Sequence, residues 1–206
     1  MEIFLNSGPD ERIMTAQRCG AWLAQFHNVA PRQGNLAEPD HLLPQTRYWT
    51  ERIKSSGESF ARRSESLSEK LEAAVPNSRT VEFCPGHGGY MPEHVFLNGK
   101  RTICFDLDEH DVADPARDLA WFIVSLQRLG LKRLGSLRAR DIEVDAFLKS
   151  YATARDQNAL RHLPFFKAAE CLHRAHRDLY KRTPPIPQWA EIMIDEGLSA
   201  LRVPSH

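Results

Sequence analysis

The sequence carries no surplus of either charge: 27 lysines and arginines stand against 27 aspartates and glutamates in 206 residues. A balanced chain has no electrostatic reason to bind nucleic acid or an anionic membrane, so neither is expected as a partner. No apolar stretch approaches the roughly 20 residues of a membrane-spanning helix. The opening, MEIFLNSGPDER, has an acid at position 2 and no apolar core, so it does not read as a secretory leader. Cysteine is scarce. Cys19, Cys84, Cys104 and Cys171 are widely scattered and form no CxxC pair. They read as reduced, mostly buried thiols of a cytoplasmic protein rather than a disulfide framework. Neither a GxGxxG nor a GxxxxGK[ST] loop occurs, so neither familiar phosphate cradle is present.

What remains is an ordinary globular composition, 42% hydrophobic and 26% charged, long enough for one domain with a real core over residues 1–206. Residues 10–28 predict a helix: Pro9-Asp10 opens it, and Ile13, Ala16, Leu23 and Phe26 recur at helical spacing. Residues 29–44, with three prolines and a glycine, read as a loop. Helices follow at about 45–56 and 58–74. The texture changes at Thr80. Thr80–Cys84 and His94–Leu97 are of strand type, Asn98-Gly99 is a two-residue turn, and Arg101–Phe105 returns as the partner strand. Asp114-Pro115 starts another helix, which Gly130 and Gly135 should end. Helices near 140–155, 164–182 and 187–201 complete the chain, the last two separated by Pro184, Pro185 and Pro187. The expected fold is α+β and mostly helical: helices over 1–79, a loop and hairpin over 80–114, and helices over 115–206.

Chemistry concentrates in CPGHGGYMPEHVFLNGKRTICFDLDEHDVADPARDLAWFI. A glycine loop, Gly86-His87-Gly88-Gly89, precedes the hairpin. The second strand delivers Asp106, with Asp108, Glu109, Asp111 and Asp114 close behind. Acids at a strand end beside a glycine loop suit a hard cation such as magnesium, which takes oxygen ligands and bridges to phosphates. The same acids equally read as caps and solvated turn residues, and Asp114 most simply caps the helix that Pro115 begins.

His87-Gly88, Pro92, the Asn-Gly hairpin, Asp106, then Asp114-Pro115 eight residues on and Asp118-Leu119-Ala120 resemble the catalytic segment of the aminoglycoside phosphotransferase and choline kinase-like family. The resemblance spans residues 87–120. It implies the C-terminal lobe of a protein-kinase-like fold, an ATP-dependent transferase chemistry, and ATP with Mg2+ as cofactors. Asp106 would hold magnesium against the nucleotide phosphates, as the DFG aspartate does in protein kinases. His94 and Asp108 would stand beside it at the cofactor, His94 in a metal-binding position. His87 would brace the catalytic loop, and Asp118 would tie the following helix back to that loop.

Three departures from the family pattern bear on activity. Its catalytic aspartate is Gly89 here, which has no side chain to take a proton. Its metal-binding asparagine is His94, whose nitrogen is a poorer magnesium ligand. Its N-terminal lobe has no counterpart, since only helical segments precede the motif. The implied protein is therefore a degenerate transferase of weak, partner-dependent or absent activity, with Glu93, Asp108 or Glu109 as candidate substitute bases. Its partner is a small hydroxylated substrate, or a protein that supplies the missing lobe. A pseudokinase-like scaffold is the first alternative, with self-association through the uncovered face. A divalent-metal hydrolase using His87, His94, Asp106, Asp108 and His110 is the second. Cys171, His173 and His176 lie on one predicted helix, which reads as a half-exposed helix carrying the basic residues Arg174, Arg177, Lys181 and Arg182 rather than as a metal site.

Overall fold

The computed structural model describes residues 2–202. In chain order the elements are α1 (Glu2–Asn6), α2 (Pro9–Val29), β1 (Leu36–Ala37), α3 (Leu43–Lys54), α4 (Glu58–Ala74), β2 (Cys84–Gly86), β3 (Val95–Asn98), β4 (Arg101–Cys104), β5 (Asp111–Ala113), α5 (Pro115–Leu134), α6 (Asp141–Ala154), α7 (Leu163–Tyr180) and α8 (Pro187–Ala200), joined by short 3-10 turns. The fold is α+β and mostly helical, as the sequence predicts. Among the described residues, no helix is long and apolar enough to cross a membrane.

The chain divides into two compact units. The first joins the residues up to Leu36 with Glu82–Arg161; the second joins Ala37–Val81 with the residues from His162 onward.

In the first unit, α2 starts where expected. Pro9 sits in its first turn, and Asp10 and Glu11 favour the positive end of the helix dipole. It packs along α6 at very short range: a Cβ at Gly20 would stand 2.3 Å from the Phe147 carbonyl oxygen. Gly20→Ala is therefore expected to force the two helices apart, costing about 2–3 kcal/mol and lowering the melting midpoint by roughly 5–10 °C. Circular dichroism melts check this, and an unchanged midpoint would contradict the close approach. The core beside this contact is aromatic. Phe122 of α5 stacks on Phe147 with centroids 4.1 Å apart, and Tyr90 stacks on Phe122 at 5.3 Å.

The β-structure corrects several expectations. No strand covers Thr80–Cys84. Ser78–Thr80 is a 3-10 turn, because the Asn77 side chain accepts from the Arg79 amide at 3.0 Å, and pairing begins only at Cys84. β2 then pairs antiparallel with β5, a strand the sequence reading took for loop, in a sheet of order β1-β5-β2. The hairpin of β3 and β4 exists, but its turn is Gly99-Lys100, since Asn98 faces Arg101. Phe96 and Ile103 are cross-strand partners on its outer face, 58% and 44% exposed. α5 begins at Pro115 with Asp114 as its cap, Oδ1 accepting from the Ala116 amide at 2.9 Å. It runs straight through Gly130 and stops at Gly135, where the backbone turns left-handed (φ 74).

The second unit is built from α3, α4, α7 and α8 around Ile53, Leu67, Leu71, Leu172, Met193 and Ile194. The His173 and His176 rings are occupied by packing. His173 stacks on Trp49 with centroids 4.6 Å apart and lies 3.1 Å from a Glu170 carboxylate oxygen; His176 stacks on Tyr180. Burial, reinforced by the neighbouring His173 and Arg52, pushes the His176 imidazole down to about 4.

Candidate functional site

Two loops of the first unit are fastened side by side. One is His87-Gly88-Gly89, which leaves β2; the other, Phe105–His110, leaves β4. Gly88 has φ 89, and a Cβ there would stand 2.2 Å from the Glu109 carbonyl oxygen, so only glycine serves at this crossing. His110 Nδ1 lies 2.7 Å from the Gly86 carbonyl oxygen, and its Nε2 lies 3.1 Å from that of Pro31. Behind the glycines, Tyr90 is wholly buried, and its hydroxyl donates to the Cys19 carbonyl at 3.0 Å. Nothing local in the sequence marks Tyr90 as the anchor of the loop.

Asp118, in the first turn of α5, holds the loop from beneath. One carboxylate oxygen accepts from the His87 amide at 2.6 Å, and the other from the Gly88 amide at 3.1 Å. Burial would raise this carboxyl. The hydrogen bond from His27 and the nearby Arg117 charge outweigh burial and hold it far below the usual carboxylate range. Arg117 itself is clamped by both oxygens of Asp111, at 2.7 and 2.5 Å. His27, 91 residues away from Asp118 in sequence, escaped the motif reading altogether.

The His87 ring is turned inward. It is wholly buried, with Nε2 3.1 Å from Cys104 Sγ and 3.2 Å from the Phe105 carbonyl oxygen. Its Nδ1 is buried with no hydrogen-bond partner. Burial pushes the imidazole down, so the ring is neutral. A buried neutral ring on the backbone at the end of β4 braces the two loops; it has no path for exchanging a proton with a substrate.

Asp106 sits at the mouth. It alone among the described non-glycine residues has a positive φ (68), a conformation aspartate tolerates at modest cost. The turn brings its carboxylate out, 49% exposed, with Oδ2 3.1 Å from His94 Nε2. The His94 ring in turn stacks on His87, with centroids 5.8 Å apart, and its Nδ1 is also buried without a partner. Asp108 is exposed in the turn that follows. Thus His87, His94 and Asp106 come together, Asp108 stays outside, and His110 is engaged by backbone carbonyls. Among the described residues, no three His, Cys, Asp or Glu side chains are grouped to hold a metal. The donor set fits a cation bound by one exposed carboxylate and otherwise by water and phosphate oxygens, which is how magnesium is commonly held. The His94 nitrogen contributes to that set only by engaging Asp106.

Gly89 completes the picture. A Cβ there would meet nothing within 4 Å, and its φ lies outside the left-handed region. The position is open, not filled.

Residues 6–154 match the model of a phosphotransferase enzyme family, APH. A glucosamine kinase superposes with a TM-score of 0.70 at 15% identity, covering 93% of this chain and 53% of that one. A glucosamine kinase in complex with glucosamine, ADP and inorganic phosphate gives 0.65 at 13%, covering 94% and 53%. A choline/ethanolamine kinase family protein from Mesorhizobium loti gives 0.62 at 14%, covering 92% and 63%. At such identities the likeness is one of fold, and the chain spans only half to two thirds of those proteins. No curated protein matches by sequence.

Proposed function

Because the chain belongs to the phosphotransferase enzyme family, we propose that its first unit binds a magnesium–ATP complex at Asp106, and that transfer to a small hydroxylated acceptor is slow for want of a base at Gly89. The observation that carries this reading is the exposed Asp106 carboxylate, set by a left-handed turn beside a glycine loop whose amides are pinned by Asp118. The likeness of fold to a glucosamine kinase in complex with ADP supports the nucleotide. Asp106 would hold magnesium, which when bound would supply neutralisation of the charge that builds on the transferred group.

The protein's own part is positioning. The Asp118 clamp and the buried His87 ring fix the loop next to Asp106, which is most of what phosphoryl-transfer enzymes contribute. The acceptor hydroxyl must still lose its proton. Gly89 offers no group for that, and the exposed Glu93, Asp108 and Glu109 are the carboxylates in the vicinity along the chain. A missing general base forfeits about 10²–10⁴-fold in rate. His94 is a second brake: it engages one oxygen of the Asp106 carboxylate and so competes with a metal for that group.

A thermal-shift titration with ATP, with and without magnesium, tests the proposal. Saturating ligand, at about 100 times its dissociation constant, adds about 2.7 kcal/mol. That should raise the midpoint by roughly 5–10 °C in wild type and leave Asp106→Ala unmoved. A shift of equal size in Asp106→Ala, or none in wild type, would remove the nucleotide site from this loop.

A further inference from the structure

Among the described residues, the outer face of the β3–β4 hairpin is left uncovered. Phe96 pairs across the hairpin with Ile103 and Asn98 with Arg101, and the Phe105 amide donates to the His94 carbonyl at 3.1 Å. Side chains alternate along a strand, so Phe96, Ile103 and Phe105 share one face. Phe105 is 52% exposed beside the exposed Phe96 and Ile103, and Leu107, also exposed, follows in the next turn. The opposite face, with Val95, Leu97, Thr102 and Cys104, is half-buried. Other exposed large apolar side chains, such as Met14, Leu134 and Ile142, sit on three separate helices. Two aromatics and an isoleucine gathered on one open face mark an interaction surface.

The charges around this face are arranged end to end. At the turn stand Lys100 and Arg101, and Arg18 of α2 brings a third cation by donating to the carbonyls of Gly99 and Arg101 at 2.9 and 2.6 Å. At the far end, where β4 runs out, stand Asp106, Asp108 and Glu109. His94 engages one oxygen of Asp106, and the other two acids keep that end negative. The ends lie roughly 15 Å apart at the rise of an extended strand, beyond the Debye length at physiological salt. They therefore do not neutralise each other within one chain. A pattern of positive, apolar, negative is complementary to itself reversed. Two such faces related by a twofold axis across the strands set each cationic turn over the other's acidic end; an axis along the strands would set like charges together. The chain carries no formal net charge, so no long-range repulsion opposes the approach of two copies.

We infer that the outer face of the hairpin is a docking surface for a second copy of this chain, forming an isologous pair with the two hairpins antiparallel. Phe96 and Ile103, midway between the charged ends, supply the apolar centre; Arg101 of one copy faces the Asp106–Glu109 end of the other. The face is small, so the pair is a transient one of micromolar strength. A seated copy also covers Asp106, so pairing and the nucleotide site proposed above exclude each other. That consequence alone rests on the reading given there.

The test is sedimentation velocity on the full chain without nucleotide, from about 1 to 200 µM, the range a small interface calls for. The wild type should pass from monomer to dimer and stop there, because an isologous contact closes at two. Phe96→Ser should weaken the pair by about 30-fold or more, the cost of losing a central aromatic anchor. Arg101→Glu and Asp108→Arg should each weaken it about tenfold, because the charged ends then meet with like signs. Mixed in equal amounts, these two variants should regain wild-type association, since each contact of the mixed pair again joins opposite signs. All three positions are exposed, so the variants should melt with the wild type. A wild-type chain that stays monomeric throughout, or that grows beyond a dimer, overturns the inference. So does a Phe96→Ser chain that pairs undiminished, or a mixture no better than its components. Nucleotide is absent from every run, so failure here leaves the titration at Asp106 as it is, and failure there leaves the pair.

Discussion

Gly89→Asp is expected to raise ATP-dependent phosphoryl transfer by about 10²–10⁴-fold, the usual worth of a general base. The backbone is already suited to it. Gly89 lies outside the left-handed region and a Cβ there meets nothing within 4 Å, so the new side chain enters without displacing anything. Its neighbour Gly88 has no such freedom. The loop geometry on which a base depends is also intact, since the Asp118 clamp acts on the residues immediately before it. A coupled assay of ADP release across a panel of hydroxylated acceptors measures the gain. Gly89→Asn is the control: similar in size, it supplies no base and should gain nothing. Equal gains in both variants would credit loop stiffening rather than proton transfer. A Gly89→Asp protein that binds nucleotide yet gains nothing would show that this position does not limit the reaction.

Asp118→Asn should cost about 3–4 kcal/mol of stability, lowering the midpoint by roughly 6–12 °C. Three donors converge on this carboxylate: the amides of His87 and Gly88, and the His27 ring. An asparagine has one accepting oxygen, so at least one buried donor is left facing an NH2 group at a cost of about 1–3 kcal/mol. The Arg117 charge, which helps hold the carboxyl down, also loses that neighbouring negative charge. The pH dependence has a definite sign. Asp118 titrates far lower in the folded protein than the roughly 3.9 of an unfolded chain, so its contribution is complete above that value. It is lost as pH falls toward the folded value. Urea unfolding should therefore show the full difference between wild type and Asp118→Asn at neutral pH, and a shrinking one below about pH 4. A difference that does not change with pH would mean that the carboxylate's charge contributes nothing.

Sequence reasoning succeeded where the signal is local. Pro9 and Asp10 mark the start of α2, Asp114-Pro115 marks that of α5, and the alternation on either side of residues 98–101 marks the hairpin. It misplaced the hairpin turn by one residue because Asn98-Gly99 and Gly99-Lys100 both supply a glycine, and cross-strand register decides between them. It missed β5 because a three-residue strand has no pattern of its own and exists through pairing with Cys84–Gly86. At the candidate site, fixed spacings pointed to the glycine loop, Asp106 and Asp118. The anchors Tyr90 and His27 stayed hidden, since what defines them is a contact made far along the chain. The pairing of His94 with Asp106 and the open space at Gly89 are likewise matters of coordinates.

The interleaving of the two units has a bearing on synthesis. Each is assembled from two separated stretches, and the first brackets the opening stretch of the second. As the chain leaves the ribosome, α2 emerges long before α6, so the surface around Gly20 waits for more than a hundred residues before its partner exists. The first unit cannot finish until Arg161 has been made, and the second cannot finish until α8 has. Such non-local closure slows folding and keeps apolar faces open meanwhile. No single cut releases a whole unit, so a shortened chain that ends within residues 82–161 should be insoluble rather than half-folded.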